Sequence, residues 1–354
     1  MKIGMVCRFP PEKDGIAATY INLVDELRKQ IRVITIGTQG SDADYKLNFR
    51  SPLLYFKLKE IIKKEKLDLL HVHHIAPFYS KYFLNLNLVL ALKQKIPVIT
   101  TLHEVHTSTE GIRGKILAYI QKNVVFASNG IIVHTPRQKK FIDTISPGKS
   151  ICIFYGIDTS LAMKKRKGRN LLFFGILSRS KGLEYLINAM KKLPGYNLRI
   201  VAALPPPLTN EYKNELNEKL KGTSIEFIVN DWTGEAERKK HYSWANILIV
   251  PYTWAPYQSA VITDAAAYRL PLVVTKVGSV WELPSYFSCG AVIKSKSVSA
   301  LVVGINKVYM NYGQYLMGIN RYAKQASWKI SAEMHIKYYM KVINEHKNKK
   351  NIAN

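Results

Sequence analysis

The sequence predicts an α/β protein made of two doubly wound parallel-sheet domains in tandem. Three observations predict it. Short aliphatic and β-branched runs alternate with amphipathic helical segments along the whole chain. The alternation halts at a basic, glycine-containing break, Lys164–Asn170 (KKRKGRN), and then restarts. The 354 residues, 47% of them hydrophobic, are enough for two medium-sized cores. The expected domains are 1–160 and 161–326, with a closing helix and polar tail over 327–354.

In the first half, Lys2–Cys7 reads as a strand and Phe9–Gly15 as a loop. Ala17, Tyr20, Ile21 and Val24 mark the inner face of a helix ending near Arg28. After a strand at Ile31–Ile36, Leu53–Glu65 is an amphipathic helix with Leu54, Leu58, Ile61 and Ile62 inside. Lys57, Lys59, Lys63 and Lys64 fall on its outer face. Asp68–His73, Ile96–Leu102, Gly130–His134 and Ile151–Asp158 are further strands. His71, His73, His74, His103 and His106 lie at two strand ends, where ligands of such sheets bind. No cysteine or paired carboxylate completes a metal shell with them, so no metal is expected; His-x-His should place one ring inside and one outside.

The second half opens on Leu171–Met190 (LLFFGILSRSKGLEYLINAM). The strand Leu171–Phe174 is broken by Gly175, and a helix follows with Leu183, Leu186, Ile187 and Met190 on one face. Between them lie Ser178, Arg179, Ser180, Lys181 and Gly182. Free N–H groups at a helix start beside a cationic side chain suit a phosphate; the same loop also serves as an ordinary basic connection. Leu198–Val201, Ile225–Ile228, Ile247–Val250, Leu272–Val274 and Ala291–Ile293 continue the strands, with a rigid loop at Pro205–Pro207. From Pro251 to Glu282 a strand end leads through Trp254 and Tyr257 to a helix opening near Gln258 and Ser259. Asp264, one turn further in, is either a ligand or a surface or capping carboxylate. Ser327–Ile343 closes the chain as a helix, and Asn344–Asn354 is expected to be disordered.

The formal charge is +27, with 23 basic against 13 acidic residues in 1–160 and 29 against 12 in 161–354. Such an excess favours phosphate-bearing substrates or an anionic membrane surface. No Cys/His finger or basic-aromatic stripe accompanies it, so no nucleic acid is expected. The three cysteines are odd in number and far apart, as for free thiols in a reducing cytoplasm. Met1–Val6 is strand-like rather than a signal peptide, and the apolar run Tyr82–Leu92 is too short to span a bilayer.

FFGILSRSKGL…LINAM, followed by PY…YQSAVITDAAAYRLPLVVTKVGSVWE, resembles the donor half of glycosyltransferase family 4. The first half agrees: Asp14-Gly15-Ile16 is similar to the family's Gly-Gly loop and DLLHVHH to its Asp–His–x–His strand. TLHE resembles its Thr-x-His-Asp/Glu strand end, and IFYGID its Pro-Asn-Gly-Ile-Asp turn. There are departures. The family's pair of glutamates becomes Pro256 and Asp264, Ala260 replaces a glycine in a Gln-Ser-Gly helix opening, and the arginine before Lys-Gly is missing, with Arg179 nearby.

The resemblance implies the GT-B fold, two Rossmann-like parallel-sheet domains facing across a cleft, with the closing helix packing back on the first domain. It also implies transfer of a sugar from a nucleotide-sugar to a glycan or lipid-linked acceptor with retention, without metal or other cofactor. The expected location is cytoplasmic, peripheral on the inner membrane face. By the same resemblance His103, Lys181 and Asp264 are catalytic, and Gly15, Gly175, Arg179, Gln258, Ser259, Ala260 and Glu282 join Lys181 and Asp264 in holding the donor. His73 and Glu104 are acceptor-side candidates. An inactive partner subunit, a phosphorylase and an epimerase share this architecture and are the other readings.

Overall fold

The structure, a computed structural model, describes all residues except 13–14, 76–78, 80–84, 108, 205–209, 232, 256–257 and 354. Asp14, Pro205–Pro207, Pro256 and Tyr257 thus lie outside the described residues, as does part of the Tyr82–Leu92 run. The chain forms two compact units, Met1–Gly156 with Trp328–Asn354, and Ile157–Ser327. Ile157 ties the two ends of the second unit together: its amide bonds to the Ala326 carbonyl at 2.7 Å and it pairs with Ser327.

The first unit runs β1 (Lys2–Val6), α1 (Gly15–Arg28), β2 (Arg32–Gly37), β3 (Tyr45–Lys46), α2 (Leu54–Glu65) and β4 (Leu69–His74). It continues with α3 (Leu86–Ala91), β5 (Val98–Leu102), α4 (Gly111–Ala127), β6 (Gly130–Val133), α5 (Pro136–Ile145) and β7 (Ser150–Cys152). The described strands form one parallel sheet in the order β3-β2-β1-β4-β5-β6-β7. Strand alternation sends Ile3, Met5, Leu69, Ile99 and Ile132 to one face, where α1 covers them. Val6, Leu70, Val72, Val98, Ile131 and Val133 face the other way, into a core shared with α2 to α5. Gly15 opens α1 rather than ending a loop. Neither α4 nor α5 is anticipated above, although Thr135–Gln138 is a capping box: Gln138 N–H donates to Thr135 Oγ1 and Thr135 N–H to Gln138 Oε1, both at 3.1 Å.

The second unit repeats this plan. Its elements are β8 (Asn170–Ile176), α6 (Leu183–Met190), β9 (Asn197–Ala203), α7 (Glu211–Leu220), β10 (Glu226–Asn230) and α8 (Glu235–Trp244). Then follow β11 (Ile247–Val250), α9 (Ala260–Ala267), β12 (Leu272–Thr275), α10 (Glu282–Tyr286), β13 (Gly290–Ile293), α11 (Val298–Met310) and α12 (Tyr312–Gln325). The parallel order is β10-β9-β8-β11-β12-β13. In both sheets the order reverses beside the first strand, between β1 and β4 and between β8 and β11. The carboxyl ends at such a switch point leave a crevice for ligands. β8 continues through Gly175 to Ile176, so the glycine does not end the strand. The basic break is anchored too, since Lys165 Nζ donates to the Tyr242, Ser243 and Ala245 carbonyls that end α8.

The last helix, α13 (Trp328–Ala353), belongs to the first unit and completes the α1 side of its sheet with Tyr338, Tyr339 and Val342. It includes almost all of the tail expected to be disordered. Lys341 and Glu345 pair at i,i+4, and His346 and Lys350 both bond the Lys95 carbonyl, which holds these last turns to the loop before β5. None of the three cysteines is in a disulfide, and Cys7 and Cys289 are buried. Among the described residues no helix is long and apolar enough to cross a membrane.

Candidate active site

In the second unit the site is built where β8 and β11 end side by side. After Ile176 the chain makes a single turn of 3-10 helix, Arg179–Lys181, and enters α6 through Gly182. Gly182 has φ +66°, and a β-carbon there would stand 2.2 Å from the Pro251 carbonyl oxygen, so only glycine lets the two strand exits lie this close. The Ser180 carbonyl accepts from Thr253 N–H at 2.8 Å and from Thr253 Oγ1 at 3.2 Å, stitching the loop to the β11 exit.

This places Lys181 Nζ 3.8 Å from the centre of the Tyr252 ring. Tyr252 is itself fixed: its carbonyl accepts from Thr275 Oγ1 at 2.6 Å and Ser295 Oγ at 2.9 Å, and its hydroxyl lies 3.2 Å from Ser259 Oγ. Burial lowers the Lys181 pKa to about 8, and no carboxylate among the described residues pairs with it. A half-buried ammonium held on an aromatic face without a counterion is prepared for an anion. Gly175, with φ +154°, lies against the same Tyr252 hydroxyl, since a β-carbon there would sit 3.7 Å from it. Ser259 is the N-cap of α9 and Ala260 its first residue, and no side chain caps the helix start. Gln258 is half-buried just before it. Lys181, Gly175 and Ser259 are therefore one cluster, and Tyr252, unremarked in the sequence, is its centre.

Asp264 sits one turn into α9 and faces α8. Tyr242 donates its hydroxyl to Asp264 Oδ2 at 3.3 Å, and Arg238 Nη1 lies 3.7 Å from the same oxygen. Burial pushes this carboxyl above the ordinary range, while the Arg238 cation and the Tyr242 hydroxyl pull it back. Tyr242 is fully buried and stacks on Tyr268. The structure does not bring Arg179 to Lys181: its guanidinium is paired with Glu215 of α7 and lies 5.0 Å from the Tyr212 ring centre. Glu282 is half-buried as the first residue of α10, after the turn at Gly278.

In the first unit, His73 is the last residue but one of β4 and His103 directly follows β5, with His73 Nδ1 3.1 Å from His103 Nε2. His103 Nδ1 is 2.7 Å from the Tyr155 hydroxyl. His71 bonds Tyr339 and Thr101, both at 2.7 Å, and His134 bonds the Ile153 carbonyl at 2.9 Å. Contrary to the expectation of one ring inside and one outside, His71, His73 and His74 are all buried, because α13 and Tyr79 close over both sides of the strand. Burial holds all of these rings neutral, His74 and His134 at about 3. Glu104 is half-buried, 3.6 Å from His106. Among the described residues no group of three His, Cys, Asp or Glu side chains is arranged to hold a metal ion.

Two open parallel sheets of matching strand order, one with an ammonium at its switch point that no described carboxylate pairs with, define a two-unit α/β protein. The family model described as Glycosyltransferase Family 4 matches residues 13–161, and that described as Glycosyl transferases group 1 matches residues 162–326. The chain is thus a family-4-like glycosyltransferase of the GT-B fold. An uncharacterised glycosyltransferase of Methanocaldococcus jannaschii is 28% identical over 144 residues, 40% of this chain and 36% of that protein, so the match spans about a third of its length. A glycosyltransferase structure from Rickettsia africae superimposes with a TM-score of 0.73 at 16% identity, covering 97% of this chain and 98% of that one. The Anabaena HepE structure in complex with UDP gives 0.71 at 16% identity, covering 96% and 100%. These structural likenesses show the fold.

Proposed function

We propose that the enzyme transfers a sugar from a nucleotide-sugar to a glycan or lipid-linked acceptor, with retention of configuration and without a resident metal or cofactor. The observation that carries this reading is Lys181, an ammonium with no counterion among the described residues, held on Tyr252 between two strand exits and beside the start of α9. As the glycosidic bond breaks, negative charge grows on the leaving diphosphate, and a fixed cation with aligned N–H groups stabilises it where a metal otherwise would. Gly175, Gln258, Ser259 and Ala260 line the donor phosphates and sugar in this reading. Asp264 takes the ribose hydroxyls and Glu282 the sugar or base. Gly15, at the start of α1, lets the donor approach the backbone.

In this reading the acceptor is bound by the first unit, where His103 is the catalytic candidate and His73 and Glu104 are the acceptor-side ones. The UDP in the Anabaena structure supports a uridine nucleotide as the first donor to try. The net charge of +27 supports a cytoplasmic enzyme held electrostatically at an anionic membrane face, and nucleic acid is not a proposed partner.

A thermal-shift screen with UDP-, GDP- and ADP-sugars tests donor binding, because a ligand of the native state raises its stability. Product anomeric configuration by NMR and activity in chelator then test retention and metal independence. A rise in turnover when free phosphate replaces the acceptor would instead mark a phosphorylase. A folded protein stabilised by no nucleotide-sugar overturns the donor reading.

A further inference from the structure

Helix α4 is packed by only half of its length. From Gly111 to Tyr119 none of its side chains is buried, and its core contacts begin at Ile120. Its exposed residues include Ile112, Ile116, Tyr119 and Phe126, with fractional exposures of 81%, 41%, 53% and 54%. They are spaced i, i+4, i+7 and i+14, so they form one stripe along the helix. Arg113, Lys115 and Lys122 are its charged residues, and between Gly111 and Ala127 it carries no acid. α3 packs against both α2 and α4, and these neighbours in the same layer expose Leu90 and Phe56. The lysines of α2 point outward beside Phe56.

We propose that this α2–α3–α4 layer, with the α4 stripe as its main apolar element, is a docking face that inserts into the surface of an anionic lipid bilayer. An apolar stripe of branched and aromatic side chains bordered by cations suits the interface between acyl chains and anionic headgroups. The same border argues against a second copy of this chain, since a two-fold contact through the stripe sets Arg113, Lys115 and Lys122 near their own counterparts. Nucleic acid uses the cations but leaves Ile112 and Ile116 in water. The proposal rests on the anionic-membrane reading above and gives it a face; because that face needs no nucleotide-sugar, its failure is distinguishable from failure of the transfer reading.

Co-sedimentation of the full chain with vesicles of phosphatidylcholine alone, or with phosphatidylglycerol added, tests the proposal without donor present. Wild type is expected to bind the anionic vesicles and to keep part of that binding at high salt, the part due to insertion. Ile112→Ser with Ile116→Ser should lower partitioning about tenfold or more and abolish the salt-resistant part, with unchanged thermal stability because both side chains are exposed. Lys115→Gln with Lys122→Gln should weaken binding mainly at low salt. Absence of binding to anionic vesicles at low salt overturns the proposal. So does binding that the two serine changes leave untouched, or a dimer in sedimentation equilibrium that those changes dissociate.

Discussion

Arg238 brings its guanidinium to 3.7 Å from the Asp264 carboxylate from helix α8, the same helix from which Tyr242 also reaches it. Both charged groups keep some solvent, at 35% and 21% exposure, so the pair lies between the exposed and buried regimes. Arg238→Ala should therefore destabilise the second unit by about 1–2 kcal/mol. Adding Asp264→Asn should recover most of that, because no unpaired carboxylate is left. A denaturation double-mutant cycle measures the coupling. If Asp264 also holds ribose, Asp264→Asn alone weakens nucleoside diphosphate binding by about 1–3 kcal/mol in calorimetry. Unchanged affinity confines Asp264 to the Arg238 contact.

Lys181→Ala should slow transfer about 10²–10³-fold, the usual loss for one preorganised charge donor, and leave the fold intact. Lys181→Arg should restore part, since a planar fork does not reproduce a point charge on a flexible stem. The pH dependence has a definite sign. With a folded pKa near 8, the free ammonium disappears as pH rises through 8, so nucleoside diphosphate affinity should fall by up to about tenfold per pH unit above it. The unliganded protein moves oppositely, gaining stability from this group as pH climbs from about 8 toward the ordinary lysine range. Calorimetric titrations from neutral to alkaline pH separate the two, and the arginine variant should show neither. Full-rate transfer by Lys181→Ala would sink the mechanism.

The buried histidines of the first unit should make it acid-labile. Their folded pKa values lie below the ordinary histidine value, near 3 for His134 and near 4 for His335, so the unfolded chain binds more protons across that window. Stability is present above the ordinary histidine pKa and is lost as pH falls, by about 1.4 kcal/mol per pH unit for each such ring fully charged in the unfolded chain. Calorimetry from neutral pH to pH 4 should show the first unit's transition falling more steeply than the second's. His335→Gln should flatten that slope. Parallel shifts of both transitions would remove the histidines as the cause.

Gly182→Ala should cost about 1–3 kcal/mol and slow transfer, because the new methyl both forces a left-handed alanine and meets Pro251. Gly222 is the control. Its φ is +73°, but a β-carbon there meets nothing within 4 Å, so Gly222→Ala should cost less and leave transfer unchanged. Equal effects from the two substitutions would show that the strand exits do not depend on their close approach.

What could be read in advance was local. The 3.6-residue spacing of Leu54, Leu58 and Ile61 set the buried face of α2, and strand–glycine–basic–helix placed Lys181 at a strand exit. What could not be read depended on partners remote in sequence. Tyr252 matters because β11 ends beside β8, a consequence of strand order that periodicity does not encode. Arg238 carries no signal in the sequence, because its role depends on α8 lying against α9. Arg179 reads in the sequence as a neighbour of Lys181, whereas its pairing with Glu215 of α7 depends on a residue 36 positions away. The histidines were visible, but their burial rests on Tyr339 and His335, which arrive from the far end of the chain.

That late arrival sets an order of assembly. Tyr338 accepts from Ile131 N–H at 3.1 Å and donates to the Lys149 carbonyl at 2.7 Å, so α13 locks strands made long before it. While the chain is being synthesised, the β1–β7 sheet waits with part of one apolar face bare until α13 emerges. The uninterrupted segment 157–327 already has all of its strands by then. The half made first is therefore the half finished last, and it is there that a nascent chain most needs shelter from aggregation.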